Sequence, residues 1–250
     1  IKDMVGDSVF VLEDAAQGYG GILKRQRAGG MGHASVVSFG DGKLLDCGGG
    51  GALLCDDTDF ADRCREIVTT LSDDASEAAL NREQVMKQMM ATRKKFRSDR
   101  AELIRNQREI LQKYRNGYLT SCRPAWVNSI QQALLQLDAI IQSRKNLMEQ
   151  LDEVLGNLES VRLPSREGSP ALWRYSFLLD QFSRNEKIKE LKEEGLMVSR
   201  LFSPCAKKFS EKIYSLPVSE GISESIVNLQ IPRSHSENDE FVSIVKKVFV

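Results

Sequence analysis

Histidine is nearly missing from this sequence: His33 and His235 are the only two in 250 residues. A metal centre built on imidazoles is therefore not expected, and no metal ligand set is assigned. Cysteine offers no substitute. The five present (Cys47, Cys55, Cys64, Cys122 and Cys205) are odd in number and include no CxxC pair. They read as free thiols of a reducing compartment, not as a disulfide frame or a zinc site. Net charge is lacking too, with 35 Lys and Arg against 35 Asp and Glu. No overall field draws the chain to nucleic acid or to a membrane surface. No apolar run approaches the roughly 20 residues of a membrane-spanning helix, and nothing resembles a signal peptide, so the expected location is the cytoplasm. An initiating methionine is also missing. The sequence opens on Ile1 and runs almost directly into an apolar segment, which reads as a start partway through a longer protein. What remains is enough chain for one large domain or two small ones with a real core.

Residues 8–13 (SVFVLE) form an apolar run of the kind found in a strand buried on both faces. Residues 34–39 (ASVVSF) and 51–55 (GALLC) read as two more strands, separated by GDGKLLDCGGG. Positions 48–51 are all glycine and mark a sharp turn or a close backbone approach. Asp57 or Thr58 then caps a helix running to about residue 70. Residues 77–114 are polar, basic and helical in spacing, with Val85, Met89, Phe96, Leu103, Ile110 and Tyr114 along one stripe. The basic residues read as a solvated face, with a phosphate-contacting surface as the alternative. Pro124 opens a second long helix to about residue 158. Beyond Pro164 the pattern becomes a small α+β module: strands at 172–180, 196–202 and 225–232, and helices at 184–195 and 237–249. The boundaries that follow are 1–75, 76–160 and 161–250. There are no internal repeats.

The first strand raises a chemical question, because it ends in EDAAQ, residues 13–17. Taken singly, these residues have plain readings: Asp14 as a helix cap, Gln17 as a surface amide, Ser38 as a strand-end hydroxyl, Glu13 as structural. Their order carries more. A strand, EDAAQ, a glycine-rich turn, a strand ending in SFGDGK, a glycine cluster and another strand follow in succession. With VLEDAAQGYGG, GHASVVSFGDGKLLDCGGGGALLCDD, EEGLMVSRLFSP and SIVNLQIPRSHSENDEFVSIVKKVF, the sequence resembles the DegT/DnrJ/EryC1/StrS sugar aminotransferases. These are fold-type I enzymes that use pyridoxal 5'-phosphate.

The resemblance implies an α/β chain: the end of a large parallel-sheet domain, then long helices, then a small α+β domain. It implies that Lys43 holds the cofactor as a Schiff base and later moves protons. It implies that Asp14 keeps the cofactor's ring nitrogen protonated, that Gln17 lies near the phenolic oxygen, and that Ser38 donates to the phosphate. The glycines behind Lys43 would let the backbone fold away during the reaction. The implied substrates are a nucleotide-linked keto-sugar and an amino donor, with glutamate expected. The implied assembly is a homodimer with sites at the subunit interface.

Two departures accompany the likeness. The family's N-terminal portion, with its phosphate turn and ring-stacking aromatic, has no counterpart, so a longer gene product or a partner chain is expected to supply it. The family's glycine-asparagine-tyrosine-arginine segment before the long helix is replaced by NGYLTSCRPAW, in which Asn116 and Arg123 are the candidate substitutes for substrate binding. Two other functions stay in view. Dehydratases of the family carry histidine in place of the lysine, which Lys43 argues against. A catalytically silent relative would serve as a binding scaffold dominated by its helices.

Overall fold

The computed structural model describes residues 2–71, 75–96, 99–115, 119–165, 167–201 and 215–250. After a single helical turn, α1 (Lys2–Val5), come five strands: β1 (Leu12–Asp14), β2 (Ile22–Leu23), β3 (Gln26–Arg27), β4 (Ala34–Ser38) and β5 (Gly51–Cys55). β1 runs parallel to β4, with Asp14 opposite Val36, and β5 runs antiparallel to β4 on its other side. β2 and β3 form a separate hairpin. Central β4 buries Ala34, Ser35 and Val37. Glu13 has the structural role expected of it: its two carboxylate oxygens accept from the backbone N–H groups of Gly29 and Met31, each at 2.8 Å.

The expectation that residues 8–13 form a strand buried on both faces is corrected. β1 is shorter, and Val9, Phe10 and Leu12 are more than half exposed. The reason is position, because β1 is an edge strand and no other described strand pairs with its outer side.

Five helices follow. α2 (Thr58–Thr69) is capped by Asp57, whose carboxylate accepts from Phe60 N at 2.9 Å. The helical stretch expected at 77–114 is two helices, α3 (Ala75–Lys95) and α4 (Arg100–Lys113). Asp99 caps α4 by accepting from Glu102 N, which restarts the helix in a new direction. The apolar stripe then closes on itself: Val85 of α3 packs with Ile110 and Tyr114, and Gln88 Nε2 donates to the Tyr114 hydroxyl at 2.7 Å. The long helix from Pro124 is likewise two, α5 (Pro124–Leu135) and α6 (Leu137–Leu155), jointed at Gln136.

The C-terminal module contains β6 (Val161–Arg162), β7 (Arg174–Leu179), α7 (Gln181–Glu193), β8 (Val198–Ser199), α8 (Pro217–Ser225), β9 (Ile226–Gln230) and α9 (Asn238–Phe249). Its antiparallel sheet has the order β6-β7-β9-β8. The expected strand at 196–202 is reduced to two residues, and residue 202 lies outside the described residues. Alternation along β7 points Tyr175, Phe177 and Leu179 into the core. Leu147, Leu151 and Leu155 of α6 meet them there, with Leu191, Val227, Leu229 and Val245. At about 25 cal/mol per Å² of apolar surface removed from water, this cluster is the main stabilising term of the module. Because α6 also reaches the first sheet through Leu137 and Ile140, it joins the two cores. Among the described residues no helix is long and apolar enough to cross a membrane, and no group of three His, Cys, Asp or Glu could hold a metal ion.

Candidate active site

β1 and β4 end side by side because they are parallel, so Asp14 and Ser38 emerge at the same edge of the sheet. The chain leaving β4 makes a loop that carries Lys43 and returns as β5. The loop is pinned from within. Lys43 N donates to Gly40 O at 3.2 Å, and Cys47 N donates to Phe39 O at 3.0 Å. Asp46 does most of the holding. Its Oδ2 accepts from Gly42 N at 2.9 Å and from Arg233 Nη2 at 2.8 Å, and its Oδ1 accepts from Gly48 N at 3.2 Å. Gly42, at φ +72°, adopts a backbone that a side chain would strain.

The Lys43 amine is half-buried and lies 5.1 Å from the centroid of the Trp173 ring. Its surroundings lower its pKa below that of an ordinary lysine. Burial is the largest cause; the Asp14 carboxylate opposes it, and the Arg174 guanidinium reinforces it. The Arg174 guanidinium lies over the same indole, 4.5 Å from its centroid, and its Nη1 donates to Ser199 Oγ at 3.2 Å. Burial lowers the pKa of Arg174 as well. Lysine, carboxylate, indole and guanidinium thus form one electrostatic group drawn from both ends of the chain. An amine so placed loses its proton more readily than a solvated one, which favours nucleophilic attack on a carbonyl.

The other sequence-derived residues are distributed as follows. Asp14 Oδ1 accepts from Ala16 N at 3.0 Å, which orients the carboxylate at the strand end. Gln17 is exposed in the turn that follows. Ser38 is partly buried, and its Oγ accepts from Gly40 N at 3.4 Å. Arg123 is the N-cap residue of α5, with its guanidinium 4.8 Å from the Trp126 ring. That ring covers the glycine turn, so Arg123 sits on the α5 wall. Asn116 lies outside the described residues.

The glycines at 48–51 have a packing role beyond the one expected. A Cβ on Gly49 would stand 2.5 Å from Trp126 Cζ2, and one on Gly50 would stand 3.0 Å from Cys122 Sγ. The run is bare so that α5 can seat against it. Sequence reading passed over Asp46, Trp173, Arg174 and Arg233. A warning was available for Arg174, an arginine heading a strand whose neighbours are apolar. Asp46 carried no signal, since its partners are backbone groups and a residue far along the chain.

Comparison with known proteins bears on this site. The profile of the DegT/DnrJ/EryC1/StrS aminotransferase family matches residues 5–249. L-glutamine:scyllo-inosose aminotransferase of Streptomyces griseus is 40% identical over 57 residues, covering 23% of this chain and 13% of that protein. Among solved structures, DesI, studied with its TDP-sugar product, superposes with a TM-score of 0.67 at 19% identity, over 98% of this chain and 56% of its own. The E. coli GDP-4-keto-6-deoxy-D-mannose-3-dehydratase, solved with hydrated PLP, gives 0.65 at 14% identity, over 100% and 62%. These likenesses establish the fold, that of the fold-type I transferases. The chain spans less than two thirds of the length of each.

Proposed function

The chain belongs to the DegT/DnrJ/EryC1/StrS aminotransferase family, and from that premise we propose that it carries the reactive lysine of a pyridoxal-phosphate aminotransferase acting on a nucleotide-linked keto-sugar, with glutamate as donor. The observation that carries the reading is that Lys43, half-buried in the loop after β4, feels the charge of Asp14 at the end of the neighbouring parallel strand β1.

The residues present suit the cofactor. A lysine whose proton is loosened by burial stands near a strand-end carboxylate, and a strand-end hydroxyl emerges at the same edge. Pyridoxal phosphate, when bound, supplies an aldehyde for amines and a ring that takes up electrons. Lys43 Nζ would be the covalent anchor for the cofactor and then the acid–base group that moves the substrate proton. Asp14 would keep a proton on the ring nitrogen of the bound cofactor, Ser38 would hold its phosphate, and Gln17 would serve its phenolic oxygen. Trp173 shields one side of the amine from water. Asn116 and Arg123 serve the substrate side of a neighbouring copy's site in a homodimer.

The sugar acceptor is supported by the TDP-sugar product named for DesI and by the aminotransferase activity named for the Streptomyces griseus relative. A dehydratase shares the fold, but Lys43 stands where that chemistry calls for histidine. The test uses the complete protein. With pyridoxal phosphate it should absorb in the visible, and with glutamate and a nucleotide-linked keto-sugar it should release 2-oxoglutarate. Lys43→Ala should do neither. Turnover in Lys43→Ala overturns the assignment, and a colourless wild type that binds a protein partner makes the chain a scaffold.

A further inference from the structure

The loop that carries Lys43 has a second side, turned toward α5, α6 and β9. There a cavity of about 180 Å³ lies between the two modules, and its wall includes Lys43, Arg144, Gln136, Gln230, Arg233 and His235. Arg144, in the middle of α6, is only 8% exposed. Among the described residues no carboxylate pairs with it and no hydrogen bond to its guanidinium is made. Burial alone lowers its pKa, to about 10, so it still carries its charge at neutral pH.

A buried charge without a counter-charge is among the least favourable arrangements in a fold. The nearby carboxylate does not relieve it. Asp46 lines the same cavity, but both its oxygens are engaged, one by Gly48 N and the other by Gly42 N and Arg233. The side chains around the cavity therefore offer donors in excess: a guanidinium fork, two primary amides, an imidazole and the rim guanidinium of Arg233. The ligand chemistry that answers such a wall is an oxyanion, which accepts at several atoms and neutralises the charge.

We propose that this interdomain cavity is a binding site for a small oxyanion, a carboxylate or a phosphate, anchored by the Arg144 guanidinium. Lys43 also lines this cavity, while its amine lies 5.1 Å from the Trp173 ring, so the anion site adjoins the lysine. It touches the same loop through Asp46 and Arg233, so an occupant bridges the lysine loop, α6 and the strand-end segment after β9. The inference stands whether or not Lys43 binds a cofactor.

The experiment is calorimetric titration of the complete protein with inorganic phosphate and, separately, with malonate. Excess pyridoxal phosphate is present throughout, so that any site for the cofactor's own phosphate is filled. Visible absorbance reports independently whether cofactor is bound. The expected result is saturable binding of one or both anions to the wild type, weakened about tenfold or more in Arg144→Gln. The stronger of the two identifies the source as phosphate or carboxylate. The melting temperature should rise with the anion in the wild type and stay level in Arg144→Gln. Should Arg144→Gln not fold, Arg144→Lys keeps the charge without the fork and should weaken binding several-fold, as should Arg233→Gln at the rim. Equal affinity in wild type and variants, or no binding of either anion to the wild type, overturns the proposal.

Discussion

The Lys43 amine lies 5.1 Å from the centroid of the Trp173 indole, so the loop between β4 and β5 is seated on the first residues of β7's approach. The same indole carries the Arg174 guanidinium. A side chain from the N-terminal sheet and two from the C-terminal module thereby share one electrostatic environment, although the modules have separate cores. The reactivity of Lys43 is a property of both modules together.

That arrangement has a pH signature. Lys43 has a lowered pKa in the fold, so the folded chain sheds this proton at a pH where the unfolded chain still holds it. The contribution of this group to stability is therefore unfavourable at low pH, and it improves as pH rises through the folded value toward the unfolded one. Asp14 is the influence that raises the pKa, so Asp14→Asn should lower it further and bring on reaction with an amine-labelling reagent at a lower pH. Arg174→Gln removes a lowering influence and should move the onset upward. Labelling of Lys43 at graded pH, read by peptide mass, checks both. Coincident profiles in all three proteins would contradict the assigned causes.

Gly49→Ala should destabilise the fold by about 1–3 kcal/mol, as overpacking of a close contact does. The added methyl meets the Trp126 ring at 2.5 Å, and an indole ring has little room to yield. Trp126→Leu in the same chain should recover part of the loss. Urea unfolding of both singles and the double variant measures the coupling, and strict additivity would mean that the two residues do not touch.

Asp46→Ala removes two backbone hydrogen bonds to the lysine loop and an ion pair to Arg233. A loss of roughly 2–4 kcal/mol is expected, because the carboxylate is mostly buried and its donors are left behind. Cofactor affinity should fall with it, since the loop no longer holds Lys43 in place. Thermal unfolding and a pyridoxal-phosphate titration report the two effects separately. An unchanged titration would make Asp46 a purely structural residue.

The elements that local pattern governs were legible in the sequence. Short apolar segments located β4, β5, β7 and β9, and Asp57 or Thr58 marked the start of α2. The hairpin of β2 and β3 was not, because its turn uses positive φ at Lys24 and Arg25, where no glycine or asparagine announces it. The joint at Gln136 also left no mark, since no proline or glycine breaks the pattern there. For the site, Asp14 and Lys43 could be picked out because family resemblance fixes their order along the chain. Trp173, Arg174 and Asp46 could not, because their roles exist only once the two modules meet. The glycine run was read as a sharp turn or a close approach, while the approaching group, Trp126, is set by packing alone.

The central claim is covalent and is tested most directly by trapping. The complete protein, loaded with pyridoxal phosphate and reduced with borohydride, should yield upon digestion a phosphopyridoxyl group on the peptide containing Lys43. Asp14→Asn should show a reduced yield at the same lysine. A label found on another lysine, or on none, would contradict the account.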